Sequence, residues 1–143
     1  MPILNYTTKI PASKTVGEIQ AILAKAGAKS VAIDFDNGEP IAVTFAITLK
    51  SEFINYRLPS NPDGVYNALC REPKVTRAQR TKEQARRVAW RIVKDWVEAQ
   101  LAVIEAGLAT LPEVFFQYAI APNGQTLYQI AEQHGLKALT GSR

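Results

Sequence analysis

The stretch from Arg80 to Trp96 concentrates side chains that can bind anions. At the pitch of an α-helix, about 100° per residue, four of its six cations and Gln84 fall within one arc about 80° wide. The cations of this arc are Arg80, Arg87, Arg91 and Lys94. A guanidinium presents a planar fork of donors that can hold two phosphate oxygens at once. The row therefore indicates either a site for phosphate groups or a solvated helix face whose charges are balanced by neighbouring acids.

The opposite arc of this helix is apolar and predicts the side that packs into the core. Trp90 and Trp96 belong to it, so they are not interleaved with the cations as on a surface that stacks bases. Arg86 also projects into the apolar arc, where an unpaired guanidinium would be costly to bury. A carboxylate, a backbone carbonyl or an anionic ligand must satisfy it, unless it reaches the rim. The candidate carboxylates are Asp34, Asp36 and Asp63.

Further candidates for ligand binding lie outside this helix. Arg57 occupies a recessed position on the face of a predicted strand that otherwise carries small residues. Its guanidinium could bind a phosphate in the same way as the helix cations. The rings that could stack on a nucleobase beside such a phosphate are Phe53, Tyr56 and Tyr66.

Residues suited to catalysis are scarce. His134 is the only histidine and precedes a helix-ending glycine, and Cys70 is the only cysteine and suits a structural thiol. Asp34 and Asp36 flank Phe35 next to a turn signal, which explains them better than a metal site or an acid–base pair. The common spacings of metal, nucleotide-loop and nucleophile motifs do not occur. We therefore predict a non-enzymatic protein with no catalytic residue, metal ligand or cofactor.

Size and composition are those of one globular domain. The chain has 143 residues, of which 47% are hydrophobic and 21% charged, with a net charge of +4. More than half of the 17 Lys and Arg residues lie between Arg71 and Lys94. No run of about 18 apolar residues could span a membrane, and the N-terminus lacks the pattern of a secretion signal. The single cysteine suits a reducing compartment, so we expect a cytoplasmic protein with no membrane partner.

Alternating apolar residues predict three strands within residues 30–59. The turn sequence DNGEP separates the first two, and EFINYRLP forms the third. The odd-numbered residues of Ile41–Leu49 are expected to face a helix. The other face carries mostly small residues and Arg57, and could be covered by the C-terminal helices, a second subunit or a ligand. Residues 3–10 are predicted to form a short edge strand that Pro11 ends.

Helical periodicity and capping residues predict the other elements. One helix precedes the sheet and ends before Gly27, and a short helix follows the turn at residues 61–64. A long helix ends near Ala106, two shorter helices follow, and the last residues are expected to form a loose tail. The predicted N-caps, each with Glu or Gln three residues on, are Thr15, Thr76 or Thr81, Thr110 and Thr126.

These elements predict an α+β fold in a single domain, residues 1–143. A small, mostly antiparallel sheet with one packed helix forms a β-rich half, residues 1–60. A helical C-terminal half with one long helix follows, residues 61–143.

Much of the chain resembles a family of small uncharacterised proteins encoded by bacteriophages and prophages. The resemblance rests on the run from Arg80 to Tyr128, on NYTTKIP through TFAI, and on YRLP before the long helix. It covers residues 5 to about 128 and implies a cytoplasmic viral protein in an infected or lysogenic bacterial cell. It carries no residue role. Small phage proteins of this kind often modulate host machinery, handle phage nucleic acid or bind host immune signals.

The residues and the resemblance together lead to one functional hypothesis. The protein would hold a small phosphate-bearing ligand, in its concrete form a nucleotide immune signal that is sequestered as an anti-defence measure. The cations expected to neutralise its phosphates are Arg57, Arg80, Arg86, Arg87, Arg91 and Lys94. Because one small domain leaves little room for an enclosed site, a homo-oligomer with pockets at subunit contacts is expected.

Two alternatives stay open at this point. A single-stranded DNA- or RNA-binding protein of phage replication or recombination would use the basic helix to follow a nucleic-acid backbone, with steep salt dependence. A protein inhibitor of a host enzyme would use the helical half as its contact surface.

Overall fold

The computed structural model describes residues 1–141 of the chain. It has an α+β fold, as predicted, and the strands precede most of the helices. The helices are α1 (Ala12–Lys25), α2 (Pro62–Arg71), α3 (Lys82–Glu105), α4 (Leu111–Phe115), α5 (Leu127–Gln133) and α6 (Lys137–Thr140). The strands are β1 (Ser30–Asp36), β2 (Glu39–Leu49) and β3 (Glu52–Pro59). Two short 3₁₀ segments are Arg77–Gln79 and Phe116–Tyr118.

The three strands form one antiparallel sheet in the order β1-β2-β3. Asn37 and Gly38 connect β1 to β2 with φ values of 51° and 78°, the left-handed pair that a two-residue hairpin turn requires. The register between these strands shifts at Phe35, which pairs with Pro40 while Asp34 pairs with Ala42. Ile41 is therefore the extra residue of a β-bulge.

The main core lies between one face of the sheet and helices α1 and α3. Val43, Phe45 and Ile47 of β2 face it as the alternation predicts. Ile41 does not, because the bulge turns it outwards and buries Pro40 instead. The fully buried Trp90 of α3 donates its indole N–H to the Pro40 carbonyl at 3.3 Å.

Aromatic rings close the end of this core near α4. Phe115 lies edge-on to Phe45 and Trp96, with ring centroids 5.6 and 5.8 Å away. Tyr56 stacks on Phe45 at 5.3 Å and is buried. Its expected role in stacking on a nucleobase is therefore wrong, because the ring is part of the packed core.

A second core lies on the other side of α3. It contains residues of α2 and of the loop that follows it, with the N-terminal segment, residues 1–11, packed against it through Ile3 and Tyr6. Its buried members are Val65, Leu69, Val75, Ala85, Val88 and Ala89. Helix α3 thus buries side chains in both directions.

The N-terminal segment is not the edge strand that was predicted. Residues 4–7 form turns, and Asn5 has a φ of 66°. The carbonyls of Tyr6 and Thr8 accept hydrogen bonds from the Gln84 side chain at 2.9 Å each. These carbonyls bond to helix α3 and are therefore not paired with a neighbouring strand.

Several helix boundaries also differ from the sequence expectations. Helix α1 begins at Ala12 with Pro11 as its N-cap, so Thr15 is a buried residue inside the helix. Thr76 caps a separate 3₁₀ segment, while Thr81 caps α3. The C-terminal stretch, expected to be a loose tail, contains α6; residues 142 and 143 of it lie outside the described residues.

The second face of the sheet remains largely open. Ala32, Thr48 and Asn55 are exposed on it, whereas the central Ala42 and Ala46 are buried. The chain after α4 reaches the sheet at the β3 edge, where the Ile120 N–H donates to the Asn55 carbonyl at 2.8 Å. Across residues 1–141, no helix has both the length and the apolar character needed to cross a membrane.

Truncation of Phe115 tests the aromatic end of the core. Phe115→Ala is expected to lower the free energy of unfolding by about 3 to 5 kcal/mol, because it removes a buried ring with three aromatic neighbours. The neighbouring Phe116 is exposed, so Phe116→Ala is the matched control and should change it by less than about 0.5 kcal/mol. Urea denaturation followed by tryptophan fluorescence measures both, and equal losses would contradict the assignment.

Candidate anion-binding groove

The structure pairs most of the predicted cations with carboxylates. The pairs are Arg57 with Asp34, Arg86 with Glu39, Arg87 with Glu83, Arg91 with Glu18, and Lys94 with Glu98. Three of these acids lie on β1, β2 or α1, far from the helix in sequence. The cations therefore do not form an uncompensated row, and each must be judged by its own surroundings.

Arg91 and Lys94 are structural residues. The Arg91 side chain is only 13% exposed, and its Nη1 lies 2.7 Å from Glu18 Oε2 and 3.4 Å from the hydroxyl of Thr15. It thereby joins α3 to α1. Lys94 is similarly recessed and pairs with Glu98 one turn further along α3. Their predicted phosphate contacts are not favoured, because both side chains are recessed and already paired with carboxylates.

The environment of Glu18 agrees with this structural role. Its hydrogen bond with Arg91 lowers the pKa of the carboxyl below its ordinary value, and the positive charges of Arg91, Lys94 and Lys14 act in the same direction. Desolvation of the carboxyl opposes them only in part. The ionised form is therefore the form that the folded state stabilises.

Arg80 lies before α3, which begins at Lys82, and so is not on the helix face where the helical wheel placed it. It follows the 3₁₀ segment, and its Nη2 donates to the Glu72 carbonyl at 3.0 Å. Its Nε is buried and has no hydrogen-bond partner in the described part of the chain. Arg80 thus fastens the connection between α2 and α3.

Arg86 and Arg87 line a groove of about 730 Å³, here called the α1–α3 groove. Its walls are the start of α1, the β1–β2 hairpin and the first turns of α3. Residues that line it include Pro11, Ala12, Ser13, Val16, Gln20, Ile33, Phe35, Gly38, Glu39, Pro40 and Glu83. The volume lies within the range of about 300 to 1,000 Å³ typical of sites for small molecules.

The start of α1 adds positive potential to this groove. A helix begins with N–H groups that have no partner within it, and its dipole places partial positive charge there. Pro11 is the N-cap and, in the described structure, no side chain accepts from these groups at the cap. Ala12 and Ser13 of this first turn line the groove beside the two arginines. The combination suits an anion.

Both arginines are accessible from the groove. The Arg86 Nε lies 3.4 Å from Glu39 Oε2, and these side chains are 33% and 48% exposed, so the pair is weak and easily exchanged. Glu39 was not among the predicted partners of Arg86, because it is the hairpin and bulge that bring it to α3. Arg87 donates from Nε to Gln84 Oε1 and from Nη1 to Glu83 Oε1, at 2.8 Å each. Its Nη2 has no partner among residues 1–141.

The predicted stacking residues do not line this groove. Phe53 is exposed near the β2–β3 turn, on the open side of the sheet, and Tyr66 packs against the second core. A side-chain hydrogen bond with Cys70 raises the pKa of the Tyr66 hydroxyl. The ring that does line the groove is Phe35, 63% exposed, which was not among the predicted stacking residues. Its position in DFDNG, directly before a hairpin turn, was the available signal that it lies at a rim.

Arg57 belongs to a second groove of about 790 Å³. It lines this groove together with Tyr118, Tyr128 and residues between β3 and α5, and its Nη1 lies 3.1 Å from Asp34 Oδ2. The two grooves share no lining residue. Arg57 and the arginines of α3 therefore do not bind one small ligand together within a single chain.

Potential metal ligands do not cluster in the described region. No group of three or more His, Cys, Asp or Glu side chains in residues 1–141 is placed to hold a metal ion. Comparisons with protein-family models, with curated proteins and with solved structures give no match. The site must therefore be interpreted from its own geometry.

The lowered pKa of Glu18 predicts a specific acid sensitivity. Its contribution to stability is complete above the ordinary carboxyl pKa of 4.5 and is lost as the pH falls through the lowered value in the folded state. Glu18→Gln removes this contribution, so the variant should be less stable than wild type at pH 7 and should lose less stability between pH 6 and pH 3. Thermal unfolding across this range measures the difference, and parallel pH profiles would contradict it.

Proposed function

We propose that this protein is a non-enzymatic binding protein that holds a small phosphate-bearing ligand in the α1–α3 groove. The observation that carries the proposal is that Arg86, Arg87 and the first turn of α1 line one cavity of ligand size. Three independent sources of positive potential converge there. The other predicted cations are excluded from the site by their structural contacts or by their distance.

Phosphate binding would use the exposed parts of this arrangement. The free Nη2 of Arg87 and the first-turn N–H groups of Ala12 and Ser13 can donate to phosphate oxygens without breaking a bond within the protein. Arg86 would exchange its weak contact with Glu39 for a charge-assisted bond to the ligand. A diphosphate or a pair of phosphodiesters carries two charged groups, so each of the two neighbouring arginines can contact one of them.

A nucleotide satisfies the apolar part of the groove as well. Phe35 offers an exposed ring, and Ile33 and Val16 line the same cavity, so a base can lie against them while the phosphates meet the arginines. The phage resemblance supplies the setting, in which a host nucleotide immune signal is withdrawn by binding alone. Because the groove is open, a second copy that closes it fits this role, and a homo-oligomer is part of the proposal.

Binding to a nucleic-acid backbone is less well supported. A strand of DNA or RNA needs a succession of accessible cations. Arg91 and Lys94, which would continue the track beyond Arg87, are recessed and paired with Glu18 and Glu98. The accessible positive surface is therefore short, which favours a compact ligand.

One observation supports inhibition of a host protein as a second candidate. Phe116, Tyr128 and Leu139 are exposed and line an apolar groove of about 620 Å³ in the helical half. Exposed apolar clusters of this kind often contact other proteins. Native mass spectrometry of the protein incubated with bacterial extract separates the candidates, because it distinguishes a retained nucleotide from nucleic acid or a bound protein.

Substitution of the groove arginines tests the proposal with ADP as the probe. Arg86→Ala and Arg87→Ala are each expected to weaken ADP binding by about 10-fold or more, because each removes a charge-assisted contact to phosphate. Arg77→Ala is the matched control, since Arg77 is exposed and does not line the groove. Isothermal titration calorimetry measures the affinities, and doubling the salt concentration should weaken binding only slightly.

The same experiment contains the result that would overturn the proposal. If wild-type protein binds neither ADP nor inorganic pyrophosphate, the groove is not a phosphate site. If Arg86→Ala lowers the melting temperature strongly but leaves ADP affinity unchanged, Arg86 is a structural partner of Glu39.

A further inference from the structure

The hydrogen bonding of Gln84 differs from that of equivalent residues in this chain. Several elements begin with Thr followed three residues later by Gln or Glu, and most close a reciprocal capping box. The closed boxes are Thr76 with Gln79, Thr110 with Glu113, and Thr126 with Gln129. At α3 only half of the box forms: the Thr81 hydroxyl accepts from the Gln84 N–H at 3.1 Å, but the Gln84 side chain does not return to Thr81.

The side chain of Gln84 is instead committed to two other parts of the molecule. Its Nε2 donates to the carbonyls of Tyr6 and Thr8 at 2.9 Å each, and its Oε1 accepts from Arg87 Nε at 2.8 Å. The residue is 5% exposed, so water cannot readily replace these bonds. Both amide donors and the amide acceptor are therefore used in a buried setting.

The two partners of Gln84 lead to opposite walls of the α1–α3 groove. Residues 6–8 continue through Ile10 and Pro11 into the first turn of α1, and Arg87 is one of the two groove arginines. We infer that Gln84 is a positioning residue that holds the start of α1 and the Arg87 guanidinium in their mutual arrangement. The consequence for ligand binding rests on the proposed function, whereas the positioning itself does not.

The N-terminal segment has other attachments, so loss of Gln84 should loosen it locally. Asn5 Nδ2 donates to Asp95 Oδ2 at 2.7 Å, and Ile3 and Tyr6 pack on the second core. In a variant without the Gln84 amide, these contacts would keep the N-terminal segment on α3, although its hydrogen-bonded connection to Arg87 would be lost.

Two variants separate the two functions of the Gln84 amide. Gln84→Met keeps the approximate length and volume and removes all three side-chain bonds. Gln84→Glu keeps an acceptor for Arg87 Nε but faces the carbonyls of Tyr6 and Thr8 with a carboxylate. Gln79→Met is the matched control, because it removes the same group from another Thr-capped turn, where the Gln79 side chain bonds locally to Thr76.

Nuclear magnetic resonance of the full chain provides readouts that need no ligand. Hydrogen exchange of the Tyr6, Thr8 and Ile10 amides reports on the N-terminal segment, since each donates a hydrogen bond within it. The Arg87 Nε–H resonance reports on the guanidinium. ADP titration adds the effect on the groove.

For Gln84→Met we expect amide exchange about 10-fold faster or more, loss of protection at Arg87 Nε–H, and ADP binding weaker by a similar factor. For Gln84→Glu we expect faster amide exchange with the Arg87 Nε–H still protected. The inference is overturned if Gln84→Met leaves exchange and the Arg87 signal as in wild type, or if Gln79→Met has the same effects. If Gln84→Met does not fold, Gln84→Glu tests the inference instead: amide exchange in the N-terminal segment must be faster while the Arg87 Nε–H stays protected. Absence of ADP binding to wild type would count against the proposed function alone, because the two resonance measurements still decide the role of Gln84.

Discussion

Helix α3 is buried from two directions, and this constraint explains much of the molecule. Trp90, Val93 and Val97 pack towards the sheet and α1, while Ala85 and Val88 pack towards α2 and the N-terminal segment. A helix in this position has little solvent-exposed surface left for charged groups. Its cations must therefore find partners on the elements that cover it, because an unpaired buried charge is far more costly than a paired one.

Two neighbouring parts of α3, its middle and its first turns, meet this constraint differently. Around Arg91 the neighbouring helix α1 supplies Glu18 and Thr15, and the contact is closed. Closer to its N-terminus, α3 faces the beginning of α1 and the hairpin, where side chains no longer fill the space between the elements. The Arg86 guanidinium is less firmly paired there, because the acid that contacts it is itself half in solvent. Under the proposed function, a ligand in this groove would compete with Glu39 for Arg86, which would favour strongly charged anions.

Sequence periodicity predicted most of the architecture. It predicted three antiparallel strands, the long helix and the burial of Trp90, because these depend on local patterns repeated over many residues. It did not predict the pairing of the cations, since Glu39 and Glu18 approach α3 only through tertiary packing. The helical wheel placed Arg87 and Arg91 on one face, to be covered by solvent or by phosphate groups, whereas α1 packs on α3 and supplies Glu18 to Arg91 in the structure. The N-terminal segment was misassigned for a similar reason: its apolar residues fit a strand, but its backbone partners belong to a buried glutamine.

Ile41 shows how the length of a segment can matter more than its composition. As the extra residue of a bulge, it lets β2 present Pro40 to the core and Glu39 to Arg86 while the rest of the ladder keeps its register. Pro40 has no backbone N–H to donate. It is tolerated at this position because β3 pairs with β2 only from Ala42 onwards, so β3 needs no hydrogen bond from it. Evolution should therefore tolerate many residue types at position 41. Deletion of this position should be selected against, because it would move the residues at the tip of the β1–β2 hairpin to the opposite faces of the sheet.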